Sequence, residues 1–171
     1  MTDVDRFPFS SDPRALLEPP TRVHAAPALE CRPVDGLAEL ATHFVLRRLV
    51  FVDEQGLFAD DRDEHDDDPA TVHVLGFVDG VPAGTVRLYP IEGVLWKGDR
   101  LAVRPDARRA GLGAPLVRYA VSTAQSLAGQ QMNANVQMEN VSFFRRLGWT
   151  TVGGPALYVG RLHQAMTIGL A

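Results

Sequence analysis

The sequence predicts a mixed α/β (α+β) fold: a single domain with one mostly antiparallel sheet flanked by helices. Three observations carry this expectation. Asp79-Gly80 and Glu92-Gly93 sit between strand-like runs, so residues 71–103 form an antiparallel meander. Two stretches, Leu37 to Val52 and Leu112 to Leu127, have apolar residues at helical spacing. The whole order is strand, helix, acidic loop, three strands, helix, strand, helix and two strands.

The chain has 171 residues, enough for one domain with a real core. Hydrophobic residues make up 46% and charged residues 22%, an ordinary globular composition. The net charge of -4 argues against a broad nucleic-acid-binding surface. Cys31 stands alone, so no internal disulfide and no cysteine-based zinc site is expected, and without a motif around it Cys31 reads as a small packing residue. No apolar run approaches the roughly 18 residues of a membrane span. Residues 1–11 are acidic and mixed rather than basic then apolar, unlike a signal peptide, so a cytoplasmic protein is expected.

In chain order, residues 1–27 hold Pro8, Pro13, Pro19, Pro20 and Pro27 without a steady period and read as an arm or a surface wrap. Residues 28–171 are the folded domain. Ala28 to Pro33 is a short strand. Asp35 is the expected N-cap of the first helix, which should stop before Gly56. Asp60 to Asp68 packs seven carboxylates into nine residues and reads as a solvated loop, able to attract a cationic amine or a metal cation. Thr71–Val78, Val81–Tyr89 and Val94–Val103 are the meander strands, with Gly84 marking a bulge or a close backbone approach. Gly111 to Ala128 is the second helix, with Pro115 tolerated in its first turns. Met132–Val136, a helix at Asn140–Leu147, and strands at Trp149–Val152 and Leu157–Ile168 complete the domain.

The most informative segment runs from Leu101 to Leu116. A strand ends at Val103, Arg104–Ala107 turn, and Arg108-Arg-Ala-Gly111-Leu-Gly113 leads directly into a helix. A helix start presents unpaired N–H groups and the positive end of the dipole, which suit a pyrophosphate. Gly111 and Gly113 lack a Cβ and let the anion approach, and Arg108 and Arg109 add positive charge. Neither the Walker loop nor the dinucleotide Gly-x-Gly-x-x-Gly fingerprint is present.

Val103-Arg-Pro-Asp-Ala-Arg-Arg-Ala-Gly-Leu-Gly-Ala resembles the coenzyme A signature of the GCN5-related N-acetyltransferases. Glu139-Asn-Val-Ser-Phe-Phe-Arg-Arg-Leu-Gly-Trp149 is similar to a later helix and strand of that family. Val50 to Gly56, Thr71-Val-His73 and Arg161 to Met166 resemble its ElaA-like branch. Acyl-homoserine-lactone synthases share parts of the front-half pattern. The resemblance implies that the strands ending near Val103 and containing Val136 splay apart around the pantetheine arm of acetyl-coenzyme A, the cosubstrate. It implies backbone donors to the pyrophosphate at Arg108, Arg109, Gly111, Gly113 and Ala114. It implies main-chain contacts to pantetheine and thioester at Leu101 and Val103, with Asn140 and Phe144 beside the cofactor.

The implied activity is transfer of an acetyl group to the amine of a small metabolite or amino-acid-like acceptor, with no metal, nucleic acid or membrane involved. The amine must lose a proton, and Glu54, His73 and His163 are the candidate bases. Many family members place a tyrosine acid where this chain has Phe144, so water, Tyr119 or Tyr158 would have to serve instead. Arg87 could pair with an acceptor carboxylate or equally with the acidic loop. An acyl-homoserine-lactone synthase-like reaction, and a coenzyme A-binding module without turnover, are the competing expectations. A homodimer through paired edge strands is also expected.

Overall fold

The computed structural model describes residues 25–170; all but the last three residues of the proline-rich arm fall outside them. Strand β1 (Leu29–Pro33) leads to α1 (Gly36–Arg47), which widens without a break into a π-helical stretch (Arg48–Glu54). A 3-10 turn (Glu64–Asp67) precedes the meander of β2 (Val72–Val78), β3 (Val81–Glu92) and β4 (Leu95–Val103). Then follow a 3-10 turn (Pro105–Ala110), α2 (Gly113–Ser126), β5 (Gln131–Gln137), a 3-10 turn (Met138–Asn140) and α3 (Val141–Arg146). Strands β6 (Thr150–Thr151), β7 (Ala156–Tyr158) and β8 (Arg161–Gly169) close the chain. The strands lie in one sheet in the order β1-β2-β3-β4-β5-β8-β6, with β7 paired to β8, and only β4 and β5 run parallel.

Local chemistry accounts for most of these boundaries. Asp79 and Gly80 turn with φ of 50° and 78°, the left-handed pair a two-residue hairpin needs. Asp35 precedes α1 as expected, but its side chain makes no capping bond. Glu39 in the first turn reaches back instead: its Oε2 accepts the N–H of Asp35 itself at 2.8 Å, and its carboxylate takes two bonds from Arg32 at 2.7 Å. The expected strand Leu157–Ile168 is in fact a hairpin. Val159 and Gly160 adopt φ of 44° and 77° and divide it into β7 and β8. A β-branched residue rarely takes that conformation, which hid the turn.

The alternation of β2 sends Val74 and Gly76 to one face of the sheet and Leu75 and Phe77 to the other. Helix α2 covers the first face with Leu112, Leu116, Val117, Ala120 and Ala124, all buried. Gly76 and Gly84 are cross-strand partners and open a trough for the leucines of α2. A Cβ on Gly84 would lie 2.8 Å from the Ala102 carbonyl oxygen and 2.9 Å from Leu116 Cδ1, so close approach is the reason for this glycine. Helix α1 covers the other face, with Leu46 packed on Leu75 and Phe77. No helix among the described residues is long and apolar enough to cross a membrane.

The acidic segment is a solvated loop only in part: Asp60, Glu64, Asp67 and Asp68 are exposed, but two of its carboxylates are not free. Asp63 and Asp66 turn inward onto the α1 face of the sheet. Asp66 takes two bonds from Arg47 (2.6 and 3.0 Å), one from Arg87 (2.8 Å) and one contact from His73 (3.1 Å). Arg87 also reaches both oxygens of Asp63 and both of Asp99. Arg100 donates to Asp63 at 2.6 Å. The Arg47 and Arg87 side chains are 1% and 0% exposed, so this is a buried ion network. Like charges do not pack alone, but they pack well against guanidinium groups from three different elements. Arg87 is therefore engaged by the acidic segment. No group of three or more His, Cys, Asp or Glu among the described residues is placed to hold a metal ion.

Two expectations test this framework. Burial pushes the Asp66 carboxyl up, but bonds from His73, Arg47 and the Asp63 N–H outweigh it and hold the group well below the usual carboxylate range. Its stabilisation is therefore complete above about pH 4 and is lost as the pH falls below that. His43, which burial and the neighbouring His73 lower from 6.5 to about 3, adds a slope that starts near its ordinary value and runs the same way. Asp66→Asn should cost about 3–5 kcal/mol, a fall of roughly 6–20 °C in Tm, and should flatten the acid limb below pH 4 in thermal melts run across pH. Gly84→Ala should cost about 1–3 kcal/mol in urea unfolding, because the blocking Ala102 oxygen is backbone and cannot yield.

Candidate active site in the wedge between β4 and β5

Strands β4 and β5 pair only over Leu95–Lys97 and Gln131–Asn133, although they run on to Val103 and Gln137. The cause is a bulge in β4. Arg87 faces Asp99 and Thr85 faces Ala102, so Arg100 and Leu101 together oppose Val86. Arg100 carries the bulge with a φ of 52°, rare for a residue with a side chain. It is held on every side. The buried Thr85 hydroxyl donates to the Arg100 carbonyl at 2.9 Å, Asp63 takes the guanidinium, and the Phe58 ring lies 4.0 Å beneath it. Beyond the bulge β4 bends away and a wedge opens.

Two cavities meet in the wedge. The inner one, about 810 Å³ including its open part, passes between the strands. Val117, Ala120, Met132, Phe144 and Trp149 line it towards α2 and α3; Phe58, Arg100, Asn135, Tyr158 and His163 are among its other lining residues. The outer one, about 1360 Å³ with its solvent-open part, lies over the start of α2 and is lined by Glu54, Val103, Arg108, Gly111, Gly113 and Ala114. Leu101, Gln137 and Asn140 line both, so the two cavities adjoin there.

The turn before α2 leaves backbone donors open at the helix start. Gly111, with φ of 82°, ends the Pro105–Ala110 turn and spends its N–H on the Arg108 carbonyl at 3.2 Å. Helix α2 then begins at Gly113, so the N–H groups of Gly113 and Ala114 have no carbonyl one turn back within the helix. Of the five expected backbone donors, Gly111 is thus already bonded, whereas Gly113 and Ala114 point the helix start into the outer cavity. Arg108 crosses its mouth. Its Nε donates to the Val103 carbonyl at 3.1 Å, and its two terminal nitrogens hold Glu54 at 2.8 and 2.5 Å. Arg109 is exposed and lines neither cavity.

The three candidate bases fall in three settings. The Glu54 carboxyl lies below its ordinary range, first because of the bond from Arg108, so as placed it is an ion-pair partner and a weak base. His73 does not reach the wedge: its ring is committed to Asp66 and stands 5.0 Å from the His43 ring, on the α1 face. His163 lines the inner cavity. Its Nδ1 lies 3.0 Å from the Arg161 carbonyl, which can only accept, so in the neutral ring Nδ1 bears the proton and Nε2 keeps its lone pair. The Tyr158 ring meets it edge-on at 5.3 Å. Of the two tyrosines weighed as acids, Tyr158 lines the cavity and Tyr119 does not. Burial raises the Cys31 thiol to about 11, in keeping with a packing role.

The sequence marks Arg161 only as part of a branch-like segment and gives Gln137 no role. Gln137 Nε2 donates to the Gln55 side-chain oxygen at 3.0 Å, and Arg161 donates to the Gln55 carbonyl, tying β5 and β8 to the end of the π-helical stretch. The available signal was the alternation Gln131, Asn133, Asn135, Gln137, a row of amides on one face of β5.

Comparison with known proteins agrees with this geometry. Residues 38–149 match the model of the acetyltransferase (GNAT) family. A Bacillus subtilis (strain 168) protein provisionally named an acetyltransferase is 30% identical over 131 residues, which cover 75% of this chain and 88% of that one. The crystal structure of Escherichia coli ElaA superposes with a TM-score of 0.72 at 19% identity, covering 82% of this chain and 98% of that one. A coenzyme A-dependent acyl-homoserine-lactone synthase, BjaI, superposes at 0.69 with 22% identity, covering 85% of this chain and 84% of that one.

The His163 geometry is directly measurable. Nitrogen-15 correlation spectra taken where the ring is neutral should report the Nδ1–H tautomer for His163, and the spectrum should be unchanged in a Glu54→Gln variant, whose site lies in the other cavity.

Proposed function

The chain belongs to the acetyltransferase (GNAT) family, and from that premise we propose that it carries an acetyl group from acetyl-coenzyme A to the amine of a small metabolite or amino-acid-like acceptor, by direct attack in a ternary complex. The observation that carries this reading is the wedge itself: a bulged β4 parting from β5, with an open helix start at its outer end. The residues present fit the cosubstrate. Free N–H groups at Gly113 and Ala114, and the positive end of α2, suit a diphosphate. Leu101 and Asn140 line the passage to the inner cavity, where Phe144 gives an apolar wall. Bound there, coenzyme A supplies the activated thioester.

The protein's own groups divide the remaining work. His163 Nε2 takes the proton from the attacking amine, and Tyr158 beside it is the group placed to return one. This assignment replaces the tyrosine absent at Phe144. Glu54 becomes available as a base only if Arg108 turns away. The wedge holds both partners in register and excludes water, which supplies much of the acceleration. We place the reaction in the cytoplasm, with the enzyme acting as a monomer or through its sheet edges as a homodimer.

The apolar residues Val117, Ala120, Met132 and Val136 in the inner cavity favour a second reading, in which a longer acyl chain passes to S-adenosylmethionine as in an acyl-homoserine-lactone synthase. Thiol release measured with acetyl- and longer acyl-coenzyme A over a panel of amines separates the two. Absence of release with every pair, alongside retained binding, would leave a coenzyme A-binding module.

Acetyl-coenzyme A should raise the melting temperature, and Gly113→Glu should abolish that shift by placing a carboxylate at the helix start while the ligand-free melt is kept. No shift for the unmodified protein at saturating ligand overturns the reading. His163→Ala should lower kcat by about 10²–10⁴-fold with little change in the acetyl-coenzyme A shift.

A further inference from the structure

The charges around the inner cavity are nearly all spent on one another. The guanidinium groups of Arg47, Arg87 and Arg100 are matched by the carboxylates of Asp63, Asp66 and Asp99. Both oxygens of Asp99 are taken by Arg87, at 2.8 and 2.7 Å. Lys97 is the exception. It lines the same cavity, is half-buried, and makes no ion pair among the described residues. It stands two residues before Asp99 on β4 and so shares its face of the sheet, the face of α1 and the acidic segment. Burial lowers the ammonium pKa, and only the already paired Asp99 works against that.

We propose that Lys97 receives a carboxylate of the acceptor, so that the acceptor is an amine that also carries an acid group. This rests on the acyl-transfer reading above. A cation removed from water without a partner is costly, and an anion brought in by the ligand removes that cost. One ammonium matches the single charge of a carboxylate, whereas a phosphate dianion would leave charge unbalanced, since among the described residues this wall offers no further cation outside an ion pair. The surrounding Asn135, Tyr158 and His163 add polar groups without adding a fixed negative charge. Within the acidic segment, Asp63 and Asp66 are unavailable to a cationic amine in the cavity, since both face arginines.

The test uses matched acceptors, each an amino acid and its own carboxamide, with acetyl-coenzyme A and thiol release as the readout. The acid should show a KM at least about tenfold below the amide at similar kcat. Lys97→Met should erase that difference by raising the KM of the acid alone, with the amide serving as the control for folding, and Lys97→Arg should retain it. Equal KM values for acid and amide, or a preference that survives Lys97→Met, would overturn the inference while the acyl-transfer reading stands. Absence of any acetyl-coenzyme A thermal shift would overturn both together.

Discussion

Arg100 sits in the middle of a strand with a left-handed backbone, and the geometry of the wedge follows from that residue. A conformation of this kind costs about 1–3 kcal/mol and persists only where its surroundings impose it. Here Thr85 binds its carbonyl, Phe58 supports its guanidinium, and Asp63 fixes the end of the side chain. The inserted residue ends the ladder between β4 and β5 after three paired positions on each strand.

The buried ion network gains a second meaning from this. Asp63 joins Arg87 to Arg100, so the acidic segment, the centre of β3 and the bulge of β4 are held by shared carboxylate oxygens. A network of this kind contributes modestly to stability compared with an apolar core, yet it fixes geometry closely because each partner has a single good orientation. Among the described residues it also leaves one cation of the inner cavity, Lys97, without an ion pair. Two of the carboxylates that look like an attractant for amines in the sequence, Asp63 and Asp66, are consumed in setting the shape of the site.

The two remaining candidate bases illustrate how environment divides similar roles. Glu54 faces Arg108 across the outer cavity, where an incoming diphosphate would compete for the same guanidinium. His163 is deeper, with its tautomer set by a backbone carbonyl and its free nitrogen beside Tyr158. The first group responds to what occupies the helix start; the second is oriented before anything binds.

Much of the architecture was legible in local sequence. Left-handed turn residues at Asp79-Gly80, helical spacing in Leu112–Leu127 and the Arg-x-x-Gly-x-Gly run each depend on neighbours a few positions away, so the meander, α2 and the turn before it could be read directly. The fate of Asp63, Asp66 and His73 could not, because their partners Arg47, Arg87, Arg100 and Asp99 come from distant elements. Nor could the Val159 turn, which runs against the preference of its own residue. Local sequence was enough for the fold family and for the glycine-rich turn at the start of α2. Tertiary structure decided which polar groups face the wedge and which are spent in the core, since that choice depends on three-dimensional charge pairing and not on spacing along the chain.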